Sequence, residues 1–111
     1  MSDPITFKVQ GSSPEPYTVI FAQHPGNVRA TCSCDAAKNG MACKHRMEIL
    51  AGNDPGIVSG NVGEVPTVRG WLAGTLVASA LQEVERLEVE ANDIKKRLTA
   101  AKKELGRALV H

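Results

Sequence analysis

Residues 31–45, with the sequence TCSCDAAKNGMACKH, hold all three cysteines of the chain and one of its three histidines. Cys32 and Cys34 form one pair and Cys43 and His45 form a second, so the pattern is C-x-C-x8-C-x-H. An odd number of cysteines argues against a framework of disulfides. Thiolates and imidazoles are ligands that Zn²⁺ prefers, and four of them complete a structural site. The pattern therefore predicts one zinc ion per chain, bound by these four side chains.

The second pair constrains the local structure, because residues two apart on a regular helix point away from each other. Cys43 and His45 can share a metal only when Cys43 lies in the turn before a helix or in its first turn. A helix over residues 41–50, stopped by Gly52-Asn53-Asp54-Pro55, meets this condition. The polar loop at residues 35–42 contains the turn signal Asn39-Gly40 and can bring the two pairs together.

Other interpretations of these residues stay open. The cysteines could be three unconnected packing thiols near a surface histidine. Cys32 and Cys34 could also form a redox pair with Cys43 as the resolving thiol, although the sequence has no C-x-x-C motif. His24, eight residues before Cys32, is an alternative metal ligand, and an exposed loop histidine is its simpler interpretation.

Three segments of β type precede the first ligand pair. Residues 5–10 alternate apolar and polar side chains, as a half-buried strand does. Residues 17–22 are almost continuously apolar, and residues 28–31 lead into Cys32. The sequence thus predicts an α+β fold in which a small three-stranded antiparallel sheet and a short helix surround one zinc. A long C-terminal coiled-coil helix follows.

This pattern and its surroundings resemble the SWIM zinc finger, in which β segments precede the first ligand pair and a helix follows the second. The resemblance covers residues 5–53, about half of the chain. It implies that the zinc ligands are Cys32, Cys34, Cys43 and His45. SWIM modules generally bind DNA or proteins, so the resemblance implies DNA or a protein as the partner, and RNA is a further possible partner. The basic residues beside the ligands are the candidate contacts: Lys38, Lys44 and Arg46.

The second half divides into a connector and a long helix. Residues 55–74 are rich in glycine and are predicted to be a linker with a short helix begun by Pro66. Trp71 is expected to pack the linker onto its neighbours. Residues 1–54 would then form the finger and residues 75–111 the coiled-coil helix, with Thr75 as its N-cap.

Apolar residues recur in the long helix at alternating steps of four and three, which predicts a coiled coil of five heptads. Residues 83–93 hold five carboxylates and one arginine, a net −4, whereas residues 95–107 hold six basic residues and one glutamate, a net +5. This arrangement favours an antiparallel homodimer, and an antiparallel hairpin with a different protein is the alternative. The predicted interface residues are Val77, Val84, Leu87, Ala91, Ile94, Leu98 and Leu105.

Composition limits the classes of function. The net charge is only +1, and residues 1–56 hold five basic and five acidic side chains, which argues against strong phosphate attraction. No apolar run approaches the roughly 20 residues of a membrane helix. The first residues carry no secretory signal, so we expect a cytoplasmic protein, of bacterial or mobile-element type, that does not act on a membrane.

The sequence holds no catalytic motif, so no enzyme activity is expected. The predicted function is that of a zinc-finger binding module, dimerised by its C-terminal helix, that binds nucleic acid and first of all DNA. The alternative is an adaptor or inhibitor that binds another protein and no nucleic acid.

Overall fold

Three strands form an antiparallel sheet in the computed structural model, which describes residues 3–110; residues 1, 2 and 111, at the ends of the predicted finger and helix, lie outside the described residues. The strands are β1 (Ile5–Val9), β2 (Tyr17–His24) and β3 (Asn27–Cys32), in the order β1-β2-β3. The predicted three-stranded antiparallel sheet is confirmed. Its strands lie within two residues of the predicted boundaries.

One face of the sheet is buried, as the alternation of side chains in β1 predicts. Phe7 and Val9 of β1 and Val19 and Phe21 of β2 are fully buried. The rings of Phe7 and Phe21 meet edge to face, with centroids 5.9 Å apart, which is a favoured aromatic geometry. This apolar layer holds the strands that lead into the cysteine pair.

Two short helices follow β3. The first, α1 (Asp35–Lys38), lies in the segment predicted to be a polar loop. Its presence is explained by Cys34, whose extended backbone starts the helix, and by Gly40, whose φ of +76° turns the chain after it. The second, α2 (Lys44–Leu50), begins three residues later than the predicted helix because Cys43 is extended and acts as its N-cap.

The segment predicted to be a linker lies against the free edge of β1. Ile57 pairs with Val9, and the backbone N–H of Val58 donates to the carbonyl of Lys8 at 2.8 Å. The Asn61 side-chain amide donates to the Thr6 carbonyl at 2.9 Å. These hydrogen bonds cover the edge of the sheet, so this glycine-rich stretch is part of the packed unit and is not a free connector.

A single 3-10 turn (Val62–Glu64) leads into α3 (Val65–Gly70), which has a proline in its first turn as predicted from Pro66. Val65 and Val68 are buried. Arg69 donates to the Ala51 carbonyl at the end of α2, at 3.0 Å, and so links the two helices.

The last element is α4 (Leu76–Val110), a helix of 35 residues. Thr75 is its N-cap, since its hydroxyl oxygen accepts a hydrogen bond from the Ala78 N–H at 3.1 Å. Contacts divide the chain into two compact units, the first ending at Ala78 and the second beginning at Ser79. The predicted long helix and its cap are confirmed, and no residue of α4 is buried within the described chain.

Among the described residues, no helix has the length and apolar character needed to cross a membrane.

Candidate metal centre

The four predicted ligand residues lie together. Cys32, Cys34, Cys43 and His45 each contribute one ligand atom, and all four atoms lie within 4.8 Å of one another. Cys34, Cys43 and His45 are buried, and Cys32 is half-buried. The cluster is therefore placed closely enough to bind one metal ion.

The first pair is positioned by the end of the sheet. Cys32 is the last residue of β3, and Cys34 follows it as the N-cap of α1. Ser33, between them, is held on β2: its N–H donates to the Thr18 carbonyl at 3.1 Å, and its hydroxyl accepts from the Thr18 N–H at 2.9 Å. Both sulfurs are thus fixed by a residue that pairs with the neighbouring strand.

The second pair is positioned by the start of α2, in the way that its spacing predicts. Cys43 has extended backbone, with φ −94° and ψ 152°, and its carbonyl accepts the N–H of Met47 at 3.1 Å. His45 lies in the first turn of the helix. Because only His45 has helical backbone, the two side chains converge on one point, which a regular helix would prevent.

The imidazole of His45 is oriented by residues of the first hairpin. Its Nδ1 lies 3.9 Å from Cys32 Sγ. The Tyr17 ring packs on it with centroids 5.0 Å apart, and a side chain built at Gly11 would lie 3.3 Å from its Nε2 and 2.7 Å from the Tyr17 ring. Nδ1 is therefore the nitrogen that faces the sulfurs, and Gly11 leaves the space that the two rings occupy.

Arg46 contacts the candidate metal site although it is not one of the four predicted ligands. Its Nε donates to Cys43 Sγ at 3.3 Å. The two terminal nitrogens donate to backbone carbonyls, to Ala30 of β3 at 3.1 Å and to Met41 at 2.6 Å. One guanidinium thus joins the last strand, the loop before α2 and a ligand sulfur.

Burial and neighbouring charges shift the pKa values of three of the four clustered side chains. Burial raises the pKa of the Cys32 thiol to about 12, with a further increase from the charge of Cys43. Burial also raises the pKa of the Cys43 thiol, but hydrogen bonds and charge from Arg46 outweigh burial and hold this pKa below its ordinary value. Burial, together with the charge of Lys44, lowers the pKa of His45, so the imidazole is held in its neutral, ligating form. A thiol that resists ionisation, as that of Cys32 does, is deprotonated when it coordinates a metal.

The donor set fits zinc. A tetrahedral site with Zn–S bonds of about 2.3 Å separates its sulfurs by about 3.8 Å, and the observed limit of 4.8 Å is within a small side-chain adjustment of that value. Three thiolates and one imidazole are soft and borderline ligands that suit zinc better than magnesium or calcium, which prefer oxygen.

The other residues predicted from the sequence as candidates do not belong to the cluster of four ligands. Lys38 and Lys44 are exposed beside the cluster, whereas Arg46 is half-buried with its donors directed at atoms of its own chain. His24, the alternative ligand, is exposed at the end of β2, where it pairs with Asn27, and is not in the cluster. Trp71 is half-buried just after α3.

The predicted interface residues are distributed along α4. Val77 and Val84 are half-buried, and the other five are exposed within the chain: Leu87, Ala91, Ile94, Leu98 and Leu105.

Three residues shape the site in ways that the sequence does not predict. Arg46 is predicted as a contact for nucleic acid or another partner, and in the structure it donates to Cys43 Sγ. The separation of three residues, about one helical turn from the N-cap Cys43, is the local signal for this contact. Tyr17 and Gly11 lie far from the ligands in sequence, and no local pattern indicates that they reach His45.

In comparisons with known proteins, the chain matches no family, no curated protein and no solved structure.

Proposed function

We propose that this protein is a non-enzymatic zinc module of the SWIM type, in which the zinc has a structural role. The observation that carries the proposal is the convergence of three sulfurs and one imidazole nitrogen within 4.8 Å of one another. Four protein ligands fill a tetrahedral zinc site, and catalytic zinc sites instead leave one position for water or substrate. The ligand spacing and the order of strands and helix agree with the resemblance to SWIM fingers.

Zinc in this position would join the end of β3 to the starts of α1 and α2. Cys32 ends β3, Cys34 begins α1, and Cys43 and His45 begin α2. Bound zinc supplies a cross-link among these segments, with folding free energy on the order of 10 kcal/mol at neutral pH. The protein's own groups prepare the site, because Ser33 fixes the first pair on β2 and Arg46 fixes Cys43.

We favour a protein as the target of the module, with α4 as its element of association. The stripe of apolar side chains on α4 is exposed, and such a stripe is typical of a helix that packs on a partner. The finger carries no excess of positive charge, and Arg46 is engaged within the chain.

DNA or RNA is the second candidate target, supported by the exposed Lys38 and Lys44 beside the metal centre. Two lysines of a charge-balanced unit would give weak and strongly salt-dependent binding.

The zinc proposal is tested by native mass spectrometry of the purified protein before and after treatment with a strong chelator. We expect one zinc per chain, lost together with the folded charge-state distribution on chelation. Cys34→Ser should lose the metal, whereas Thr31→Ser, which changes an exposed side chain next to Cys32 and keeps all four ligands, should retain it. Metal-free protein with an unchanged fold would contradict the proposal.

The target is tested by fluorescence anisotropy with labelled duplex DNA, single-stranded DNA and RNA at increasing salt. We expect no binding at physiological salt. Binding that weakens steeply with salt, and that Lys38→Gln and Lys44→Gln reduce further, would instead support a nucleic-acid target.

A further inference from the structure

The exposed stripe on α4 is large for a helix without a partner. Leu87, Ile94, Leu98 and Leu105 are between 47% and 59% exposed, and none of the 35 residues of α4 is buried within the described chain. An isolated helix is only marginally stable in water. In proteins, an amphipathic helix gains most of its stability by packing its apolar face on another element. The face therefore needs an occupant.

We propose that the occupant is a second copy of this chain, packed antiparallel on α4 with its centre between Asn92 and Asp93. This inference rests on the proposed function only in its use of α4 as the element of association. It adds the identity, the direction and the register of the partner.

The first argument is the volume of the side chains in each layer. The five predicted heptads give α4 ten core positions. Four of these are alanine, and in this register every alanine faces a larger apolar residue of the other copy. Alternating large and small residues across an interface lets the layers interdigitate without gaps. The facing pairs are Val77 with Ala108, Ala80 with Leu105, Val84 with Ala101, Leu87 with Leu98 and Ala91 with Ile94.

A parallel dimer lacks this complementarity. In a parallel coiled coil each core residue meets its own copy. Ala80, Ala91, Ala101 and Ala108 would then form four alanine–alanine layers among six larger ones. Such layers leave space that the adjacent leucine and isoleucine layers hold open, and unfilled space in a core is destabilising.

The second argument is the charge at the edges of the interface. The antiparallel register places Glu88 beside Lys95 and Glu90 beside Arg97 of the other copy, each pair occurring twice by symmetry. Glu90 already accepts a hydrogen bond from Arg86 of its own helix through Oε2, at 3.1 Å, and its second carboxylate oxygen can accept Arg97. Exposed pairs of this kind set direction more than affinity.

The one repulsive pair in this register is weakened within each helix. Glu83 would face Glu104 of the other copy. Glu83 forms an ion pair with Arg86 of its own chain at 2.6 Å, and Glu104 forms one with Arg107. A parallel dimer would instead place Glu83 beside Glu88 and Arg97 beside Lys102, leaving Glu90 with Lys95 as its attractive pair.

The affinity test is sedimentation equilibrium of the full zinc-loaded chain over a dilution series. We expect a dimer, and we expect Glu88→Lys to raise its dissociation constant about tenfold, because two attractive pairs become repulsive. The double variant E88K/K95E should restore the dimer. Glu85→Lys is the matched control, since it makes the same charge change on the outer face of α4 and should leave the constant unchanged.

Orientation is tested by carbodiimide cross-linking of mixed isotope-labelled and unlabelled chains, read by mass spectrometry. An antiparallel dimer joins Glu88 of one copy to Lys95 of the other. A parallel dimer joins Glu90 to Lys95 and would be tightened by Glu88→Lys, and either result would overturn the inference.

The outcomes separate this inference from the proposed function, because zinc content is measured on the same samples. A zinc-loaded chain that stays monomeric at every concentration would overturn self-association and leave the zinc module standing. A dimer that holds no zinc would contradict the zinc module and support the inference about α4.

Discussion

At the scale of single residues, the metal centre depends on side chains that are not ligands. Arg46 donates to the sulfur of Cys43 and to two backbone carbonyls, so it holds the ligand in place and compensates its negative charge. A zinc ion with three thiolates and one neutral imidazole carries a net charge of −1. A guanidinium in contact with one of those sulfurs stabilises that charge where the solvent is partly excluded.

Replacing Arg46 by methionine keeps an unbranched apolar stem and removes the guanidinium with its charge and donors. We expect Arg46→Met to weaken zinc binding about ten- to a hundredfold, as loss of an outer hydrogen bond to a metal ligand does elsewhere. Competition with a chromophoric chelator measures the affinity. In the cobalt-substituted protein the sulfur-to-cobalt charge-transfer band should shift as well.

Lys44→Met is the control for Arg46→Met. It removes a positive charge that lies between Cys43 and His45 in the sequence, from an exposed side chain with no described hydrogen bond to a sulfur. Its zinc affinity should stay close to that of the unchanged protein. Equal losses of zinc affinity in the two variants would show that the affinity depends on positive charge near the site and not on the hydrogen bond from Arg46 to Cys43.

Gly11 has a steric role. A Cβ there would lie 2.7 Å from the Tyr17 ring and 3.3 Å from His45 Nε2, so the two rings would have to move. We expect Gly11→Ala to lower the free energy of unfolding by about 1–3 kcal/mol, as overpacking does, and to weaken zinc binding through His45. Thermal unfolding of the zinc-loaded protein measures the first effect.

Gly63→Ala is the matched control for this substitution. No atom lies within 4 Å of a Cβ built at Gly63, and its backbone φ is not positive. Its melting temperature should be unchanged or slightly raised, because alanine restricts the unfolded chain. The steric explanation for Gly11 fails when both variants melt at the same temperature.

At the scale of secondary-structure elements, the caps decide where helices begin. Cys34 and Cys43 are extended residues placed immediately before α1 and α2, so two ligands are presented by helix starts. Thr75 is likewise placed immediately before a helix, α4. Its hydroxyl accepts a hydrogen bond from the Ala78 N–H and donates one to the Leu72 carbonyl at 2.7 Å. Thr75 is also buried, so both bonds are sheltered from water.

Thr75→Ala removes both hydrogen bonds and leaves the first N–H groups of α4 without their cap. The expected cost is about 1 kcal/mol of stability, seen as faster amide hydrogen exchange at Ala78 and its neighbours. Thr75→Ser keeps the hydroxyl and should exchange at the rate of the unchanged protein. Identical exchange in the two variants would mean that the cap contributes nothing.

At the scale of the whole molecule, the chain divides into a first unit built around the sheet and the metal centre and a second unit formed by α4. The first unit has a small core and, by the proposal, needs zinc to hold it, since a short chain buries little apolar surface. The second unit buries none of its described residues within the chain and, by the inference above, is stabilised by association with a second copy.

Chelation of zinc should therefore unfold the first unit and spare much of the second. Trp71 lies in the first unit and is half-buried, so its fluorescence reports on that unit, while far-ultraviolet circular dichroism near 222 nm reports mainly on α4. We expect the Trp71 emission to shift to the red on chelation, with most of the helical signal retained, and added zinc to reverse the shift. Simultaneous loss of both signals would show that α4 needs the first unit.

Local patterns in the sequence predict the three strands, the long helix and the four residues that cluster as candidate ligands. Alternating side chains in β1, the C-x-C and C-x-H pairs, and the long run of helix-forming residues after Thr75 are local patterns, and local patterns carry periodicity, capping and donor chemistry. The spacing of Cys43 and His45 leaves two geometries open, with Cys43 in the turn before the helix or in its first turn, and the structure has the first.

The contacts of distant residues with the site depend on the packing of strands and helices. The glycine-rich stretch after Pro55 lies on the edge of β1, Gly11 and Tyr17 enclose His45, and Arg46 turns inward to Cys43. Each of these contacts depends on how strands and helices pack, and packing brings together residues whose separation in sequence carries no periodic trace. The same side chain of Arg46 suits a phosphate or a buried thiolate, and the choice is made by the carbonyls of Ala30 and Met41 that the fold places around it.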